Sequence, residues 1–194
     1  MKDKILMIVF VLVLGSILTA ALLAVNYVTT PVIEKNEEIA TKSSILAALN
    51  IPFNSQNVEA VFADNVMQRE QNGTTYYLTK EDTVAFPYSG SGLWGPIEGI
   101  IAIQPDFQRL EGITISRQEE TPGLGSRITE AAYLAQFQDK RFTEGLKLVQ
   151  PGRADRDNEI DSITGATMTT DAFIKILNEN IRQAVPAIAE GEGR

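Results

Sequence analysis

The sequence predicts an α+β domain behind a single N-terminal membrane helix. Three observations carry this. Residues 5–25 form an uncharged apolar run, short strand-like stretches alternate with three helical patterns further on, and Gly, Pro and Asn-Gly signals punctuate the breaks between them.

The apolar run, ILMIVFVLVLGSILTAALLAV, comes first. At about 1.5 Å per residue it reaches roughly 30 Å, the thickness of a hydrocarbon core. Gly15, Ser16 and Thr19 are small enough for a membrane helix, and Tyr27 stands where an interfacial aromatic belongs. Lys2 and Lys4 precede the run and the next basic residue is Lys35, a bias that puts the N-terminus in the cytoplasm and the rest outside. A cleaved signal peptide is the rival reading, and its apolar core is ordinarily only about 7–15 residues.

Thr30-Pro31 reads as a helix start, Thr as N-cap and Pro at the first position, with Glu34, Glu37 and Glu38 near the positive end of the dipole. Ile39, Ser43, Leu46 and Leu49 continue the helix until Ile51-Pro52 ends it. Beyond it, VEAVF (58–62) and TTYYLT (74–79) read as strands about the Asn72-Gly73 turn. Residues 86–99, FPYSGSGLWGPIEG, are dense in Gly and Pro. IEGIIAIQ (97–104) and LEGITISR (110–117) form a hairpin through Pro105-Asp106. After EETPGLGS, residues 128–138 suggest an amphipathic helix and LKLVQ (146–150) a strand; PGRADRDNEI reads as a polar loop. A final helix follows from Ile174, Leu177, Ile181 and Val185, ending at Pro186.

Composition removes several classes of function. Of 194 residues none is Cys or His, so a Ser-His-Asp or Cys-His centre, Cys-ligated zinc, an iron–sulfur cluster held by this chain alone and His-ligated haem are all excluded. A net charge of −8 argues against a nucleic-acid partner. Redox chemistry here needs an organic cofactor or a carboxylate-bound metal.

Three stretches carry chemistry. In DSITGATMTT (161–170), Thr169 or Thr170 can cap the last helix, whose free N–H groups suit a phosphate, and Gly165-Ala166 leave the backbone approachable. A plain capped loop is the alternative. In GSGLWGPIEG, glycines surround Trp94, the single tryptophan, which either covers an aromatic ligand or plugs the core beside a tight turn. In EETPGLGS, Pro122-Gly123 suggests a type II turn. The two Gly-rich loops flank strands of one hairpin, so they belong at the same end of a sheet, with Trp94 near Thr121; two ordinary turns is the bland alternative.

Together and in this order, these stretches resemble the FMN-binding subunits of membrane redox pumps, the G subunit of the Rnf complex and the C subunit of the sodium-pumping NADH:quinone oxidoreductase. Residues 161–169 resemble the family's flavinylation signature, 120–125 its second motif, and 92–95 a third that is closer to the quinone-reductase branch. The resemblance implies an extracytoplasmic FMN-binding domain with a twisted antiparallel sheet and flanking helices. The chain itself reads as an anchor (1–28), a helical stalk (29–52) and the domain (53–194). The resemblance also implies FMN bound covalently, by a phosphoester on Thr167 that a flavin transferase makes from FAD with Mg²⁺. Thr164, Gly165, Ala166 and Thr169 then shape the phosphate site; Glu120, Thr121, Gly123, Leu124 and Gly125, with Leu93 and Trp94, contact or flank the flavin; and Asp161 serves transferase recognition. No residue is assigned as a general acid or base, and no metal site is expected. The implied setting is a single-pass protein of a bacterial or archaeal plasma membrane, in contact with lipid and with other membrane subunits of a redox-driven ion pump. A stand-alone flavin carrier and an extracellular flavin reductase are the alternatives.

Overall fold

A computed structural model describes residues 2–193. The chain divides into two compact units between Ile39 and Ala40. Helix α1 runs unbroken over Lys2–Ala48, and among the described residues it is the one helix long and apolar enough to cross a membrane. The expected restart at Thr30-Pro31 does not occur. Thr30 turns its hydroxyl back onto the Asn26 carbonyl, 2.8 Å away, and so does not cap forward; Pro31 sits inside the helix. The stop at Ile51 is present: Asn50 takes φ 55°, its N–H reaches Ala47 O and that of Ile51 reaches Leu46 O, a Schellman arrangement.

In the second unit, residues 58–62 are helical. Helix α2 spans Val58–Asn65, because the Asn54 and Asn57 side chains exchange hydrogen bonds with each other's backbone and wind the chain into a first turn. Five strands then form an antiparallel meander in sequential order: β1 (Val66–Gln71), β2 (Thr74–Thr79), β3 (Val84–Ser91), β4 (Pro96–Ile103) and β5 (Leu110–Arg117). Asn72 (φ 50°) and Gly73 (φ 79°) close the first hairpin in the left-handed region that a two-residue turn requires. The Gly- and Pro-rich stretch around Trp94 forms the β3–β4 hairpin, with Ser91 opposite Pro96.

The expected helix over 128–138 breaks into a 3-10 turn (Gly125–Thr129), a short α3 (Ala131–Leu134) and a second 3-10 turn (Ala135–Phe137), with Glu130 extended at ψ 133°. The broken course lets Ile128, Tyr133 and Phe137 all reach the core, which one straight helix of that register would not allow. Strand β6 (Lys147–Val149) pairs in parallel with β7 (Glu159–Asp161), so the end of the supposed polar loop is a strand.

Helix α4, Thr167–Gly191, packs on the sheet through Phe173, Ile174, Leu177, Ile181 and Ile188. It passes through Pro186. The burial of Ile188 and the Glu192 carboxylate, bonded to Arg69 and Tyr76 at 2.7 Å each, fix the turns beyond the proline. Phe173 meets Tyr88, Tyr133 and Phe137 with ring centroids 5.7–6.4 Å apart.

Tyr133 has a buried hydroxyl with no hydrogen-bond partner among the described residues, and burial pushes its phenol pKa up. A buried unpaired hydroxyl costs on the order of 1–3 kcal/mol. Tyr133→Phe is therefore expected to stabilise the protein by about 1 kcal/mol, seen as a rise of roughly 3 °C in the thermal melt of the detergent-solubilised chain.

Candidate functional site

The end of the sheet where β4 begins and β5 finishes gathers all three motifs. Gly92 N–H donates to Gly95 O at 2.8 Å and closes the β3–β4 turn, leaving Leu93 and Trp94 at its tip. Trp94 is 71% exposed, so it is not a core plug. After β5, Leu124 N–H donates to Thr121 O with Gly123 at φ 73°, the type II turn that the sequence suggested. The third element is the start of α4. Gly165 takes φ 84°, Ala166 precedes the helix, and Thr167 opens it.

These three elements line a cavity of about 330 Å³ bounded by Leu93, Trp94, Thr121, Leu124, Gly125, Gly165, Ala166, Thr167, Met168 and Thr169. Leu93, Trp94, Leu124 and Met168 are all exposed there. Among the described residues of the second unit, the one other large exposed apolar side chain is that of Met67. Exposed apolar surface gathered at one spot of a folded domain marks a place where something binds. A larger groove, about 670 Å³ and floored by Phe107, Phe142, Ile181 and Val185, lies elsewhere. The charges on its rim, Lys175 and Arg182, are already paired with Asp171 and Glu179, and none of the three motifs reaches it. The smaller cavity is the better candidate.

Thr167 is exposed, and among the described residues no side chain hydrogen-bonds its hydroxyl. Its own N–H and those of Met168 and Thr169 have no backbone acceptor, as expected for a first helical turn. Neither expected cap forms. Ala166 stands at the N-cap with no side-chain bond. Thr170 bonds back to Ala166 O and Thr167 O, and Thr169 donates to Glu120 Oε2 at 2.7 Å. Glu120 lies behind the cavity wall, not on it, only 4% exposed, with Oε1 accepting from the N–H groups of Leu93 (2.7 Å) and Trp94 (3.1 Å). Thr164 and Gly123 also stand off the cavity: Gly123 N–H donates to Ser126 Oγ, and Thr164 O faces Arg127 Nη1 at 3.5 Å. Asp161 is engaged in folding its own neighbourhood, where Oδ1 accepts from the Arg153 and Ala154 N–H groups at 2.8 and 2.9 Å.

Sequence reasoning passed over Arg127. It sits on the 3-10 turn, and its guanidinium meets Glu130 and the carbonyl of Thr164. The signal was its place two residues beyond the last glycine of the second motif. The cavity as a whole offers free N–H groups and a hydroxyl at the helix start, then flat and aliphatic surface. That sequence of surfaces fits a molecule with a phosphate at one end and a planar aromatic ring at the other.

Residues 92–182 match the FMN-binding domain family, a stretch that takes in all three motifs. Among curated relatives, the C subunit of the Na(+)-translocating NADH-quinone reductase of Pasteurella multocida is 36% identical over 110 residues, 52% of this chain and 42% of that one. Its namesake from Neisseria meningitidis serogroup A is 33% identical over 107 residues, 50% of this chain and 42% of that one. The match thus spans well under half of these relatives' own length. Two crystal structures share the fold. Shewanella oneidensis NqrC has a TM-score of 0.66 at 18% identity, with 77% of this chain and 93% of that chain covered. The C subunit of the Na(+)-translocating NADH-quinone reductase of Parabacteroides distasonis has a TM-score of 0.68 at 21% identity, with 75% and 89% covered. The expected antiparallel sheet with flanking helices, behind a long apolar helix, is therefore the observed fold.

Proposed function

We propose, with an FMN-binding domain over residues 92–182 as the premise, that this chain is a membrane-anchored electron-transfer protein with FMN on the hydroxyl of Thr167, one subunit of a larger complex. The observation that carries it is a free, exposed Thr167 hydroxyl at a helix start, opening into the cavity where the domain's exposed apolar side chains gather. FMN, when bound, supplies a ring that takes and gives electrons singly or in pairs. The chain's residues bind and orient. The N–H groups of Thr167, Met168 and Thr169 and the positive end of α4 favour an anion beside Thr167. Leu93, Trp94, Leu124 and Met168 offer the ring its apolar contacts. A separate flavin transferase would activate the hydroxyl when the phosphoester is made.

The names of the relatives favour a place in a sodium-pumping NADH:quinone reductase over an Rnf complex, with other membrane subunits as electron donor and acceptor. The positive residues ahead of the apolar run favour a cytoplasmic N-terminus and a domain on the outer face of a bacterial or archaeal plasma membrane. The anchor is read as residues 1–28, the stalk as 29–52 and the flavin domain as 53–194.

The test is the full chain co-expressed with a flavin transferase and run on a denaturing gel under ultraviolet light. A fluorescent band, with the peptide containing Thr167 heavier by one flavin phosphoryl group, is expected. A dark band overturns the covalent reading.

A further inference from the structure

We infer that Glu120 is the positioning residue of this site: its buried carboxylate clamps the β3–β4 turn to the first turn of α4 and so fixes where Trp94 stands over the cavity. What the cavity holds rests on the flavin reading above, but the clamp belongs to the chain alone. One oxygen takes the two consecutive N–H groups at the hairpin tip, Leu93 and Trp94, and the other takes the Thr169 hydroxyl. The Glu120 N–H is itself held by the Gln118 side chain at 2.7 Å, which fixes the residue from behind. A carboxylate only 4% exposed needs such partners, and three donors meet that need.

The neighbouring glycines have the same cause. A Cβ on Gly92 would lie 2.5 Å from Glu120 Oε1, and a Cβ on Gly125 would lie 2.8 Å from Oε2 and 2.6 Å from Thr169 Oγ1. Both glycines make room for the carboxylate and its bonds. Without the clamp, Leu93 and Trp94 sit on a four-residue turn closed by the Gly92–Gly95 bond, and both side chains are exposed, that of Trp94 largely so. Nothing else among the hydrogen bonds of the described residues ties that tip to α4.

Trp94, as the single tryptophan, reports on its own position. Time-resolved fluorescence anisotropy on the full flavin-free chain in detergent is expected to show a hindered indole in the wild type. In Glu120→Ala the nanosecond depolarisation should about double, as for a freed loop tip. Glu120→Gln should keep the wild-type decay, because its carbonyl serves the two N–H groups and its amide can donate to Thr169. Thr169→Val cuts one leg of the clamp without emptying the carboxylate's place, and should give an intermediate decay with a melt lowered by only a few degrees. It decides the matter if Glu120→Ala fails to fold. An Ala or Val variant that is folded yet no more mobile than wild type overturns the clamp, as does a Gln variant as loose as Ala. In flavin-loaded protein Glu120→Ala should also lose the quenching of Trp94 by the ring and Thr169→Val part of it, while Glu120→Gln keeps it. Absence of quenching in the wild type counts against the flavin reading and leaves the flavin-free result standing.

Discussion

Thr167→Ala yields a folded protein from which all flavin is lost on denaturation. The Thr167 side chain is exposed and makes no side-chain hydrogen bond among the described residues, so little of the fold depends on it. Its backbone carbonyl, which accepts from Thr170 Oγ1 at 2.9 Å, survives the change. Alanine is the best helix former, so the start of α4 should stay within about 0.5 kcal/mol of its original stability. What goes is the exposed hydroxyl at the start of α4. Thr169 cannot substitute, being 3% exposed and engaged with Glu120, and Thr170 is fully buried with its hydroxyl turned back into the helix. In-gel fluorescence of Thr167→Ala beside Thr167→Ser checks this. The serine variant keeps the hydroxyl and should keep a fluorescent band, whereas fluorescence in the alanine variant would place the attachment elsewhere.

The largest loss of stability is expected from Gly99→Ala. Gly99 lies on β4 opposite Tyr88 of β3, where the β4–β5 register shifts at a bulge. Its missing side chain leaves the channel through which Tyr88 reaches across β4 to donate to Thr114 O on β5, 3.0 Å away. A Cβ there would lie 1.9 Å from that carbonyl oxygen and 2.7 Å from the Tyr88 hydroxyl. Backbone cannot yield cheaply in the middle of a sheet, so the ring must leave and strand a buried hydroxyl. Overpacking of roughly 1–3 kcal/mol and an unpaired polar group of similar cost together give about 3–5 kcal/mol, a large share of an ordinary domain's stability. The thermal midpoint should fall by roughly 10 °C. Tyr88→Phe, which keeps the ring and loses only the bond, should cost about 1 kcal/mol.

These two residues mark what could and could not be read from the chain. Elements stabilised by near neighbours were legible: the apolar run of α1, the strand at 74–79 with its Asn-Gly turn, the β4–β5 hairpin, the type II turn at Pro122-Gly123, and most of α4. The two Gly-rich motifs also met at one end of the sheet, as their places beside one hairpin implied. The misreadings have distant causes. The stretch around Trp94 looked like a loop because of its glycines, yet a Cβ on Gly90 would strike Ile176, and Gly92 and Gly95 face Glu120 and Glu119. Each glycine answers to a side chain far along the sequence. Pro31 and Pro186 looked like boundaries, but packing or local hydroxyl bonds carry both helices through them. The absent threonine cap has the same origin, since Thr169 is claimed by Glu120 from 49 positions away.

Helix α4 has a last consequence. It is fixed at its far end by Glu192 and along its length by the aromatic core, and Thr167 is its first residue. A group esterified there hangs from one short, β-branched side chain on a helix packed along the sheet. Such a tether cannot ferry its cargo from donor to acceptor as a long flexible arm does. On this reading the flavin keeps one place within its domain, and it meets its electron partners only where that face of the domain meets them.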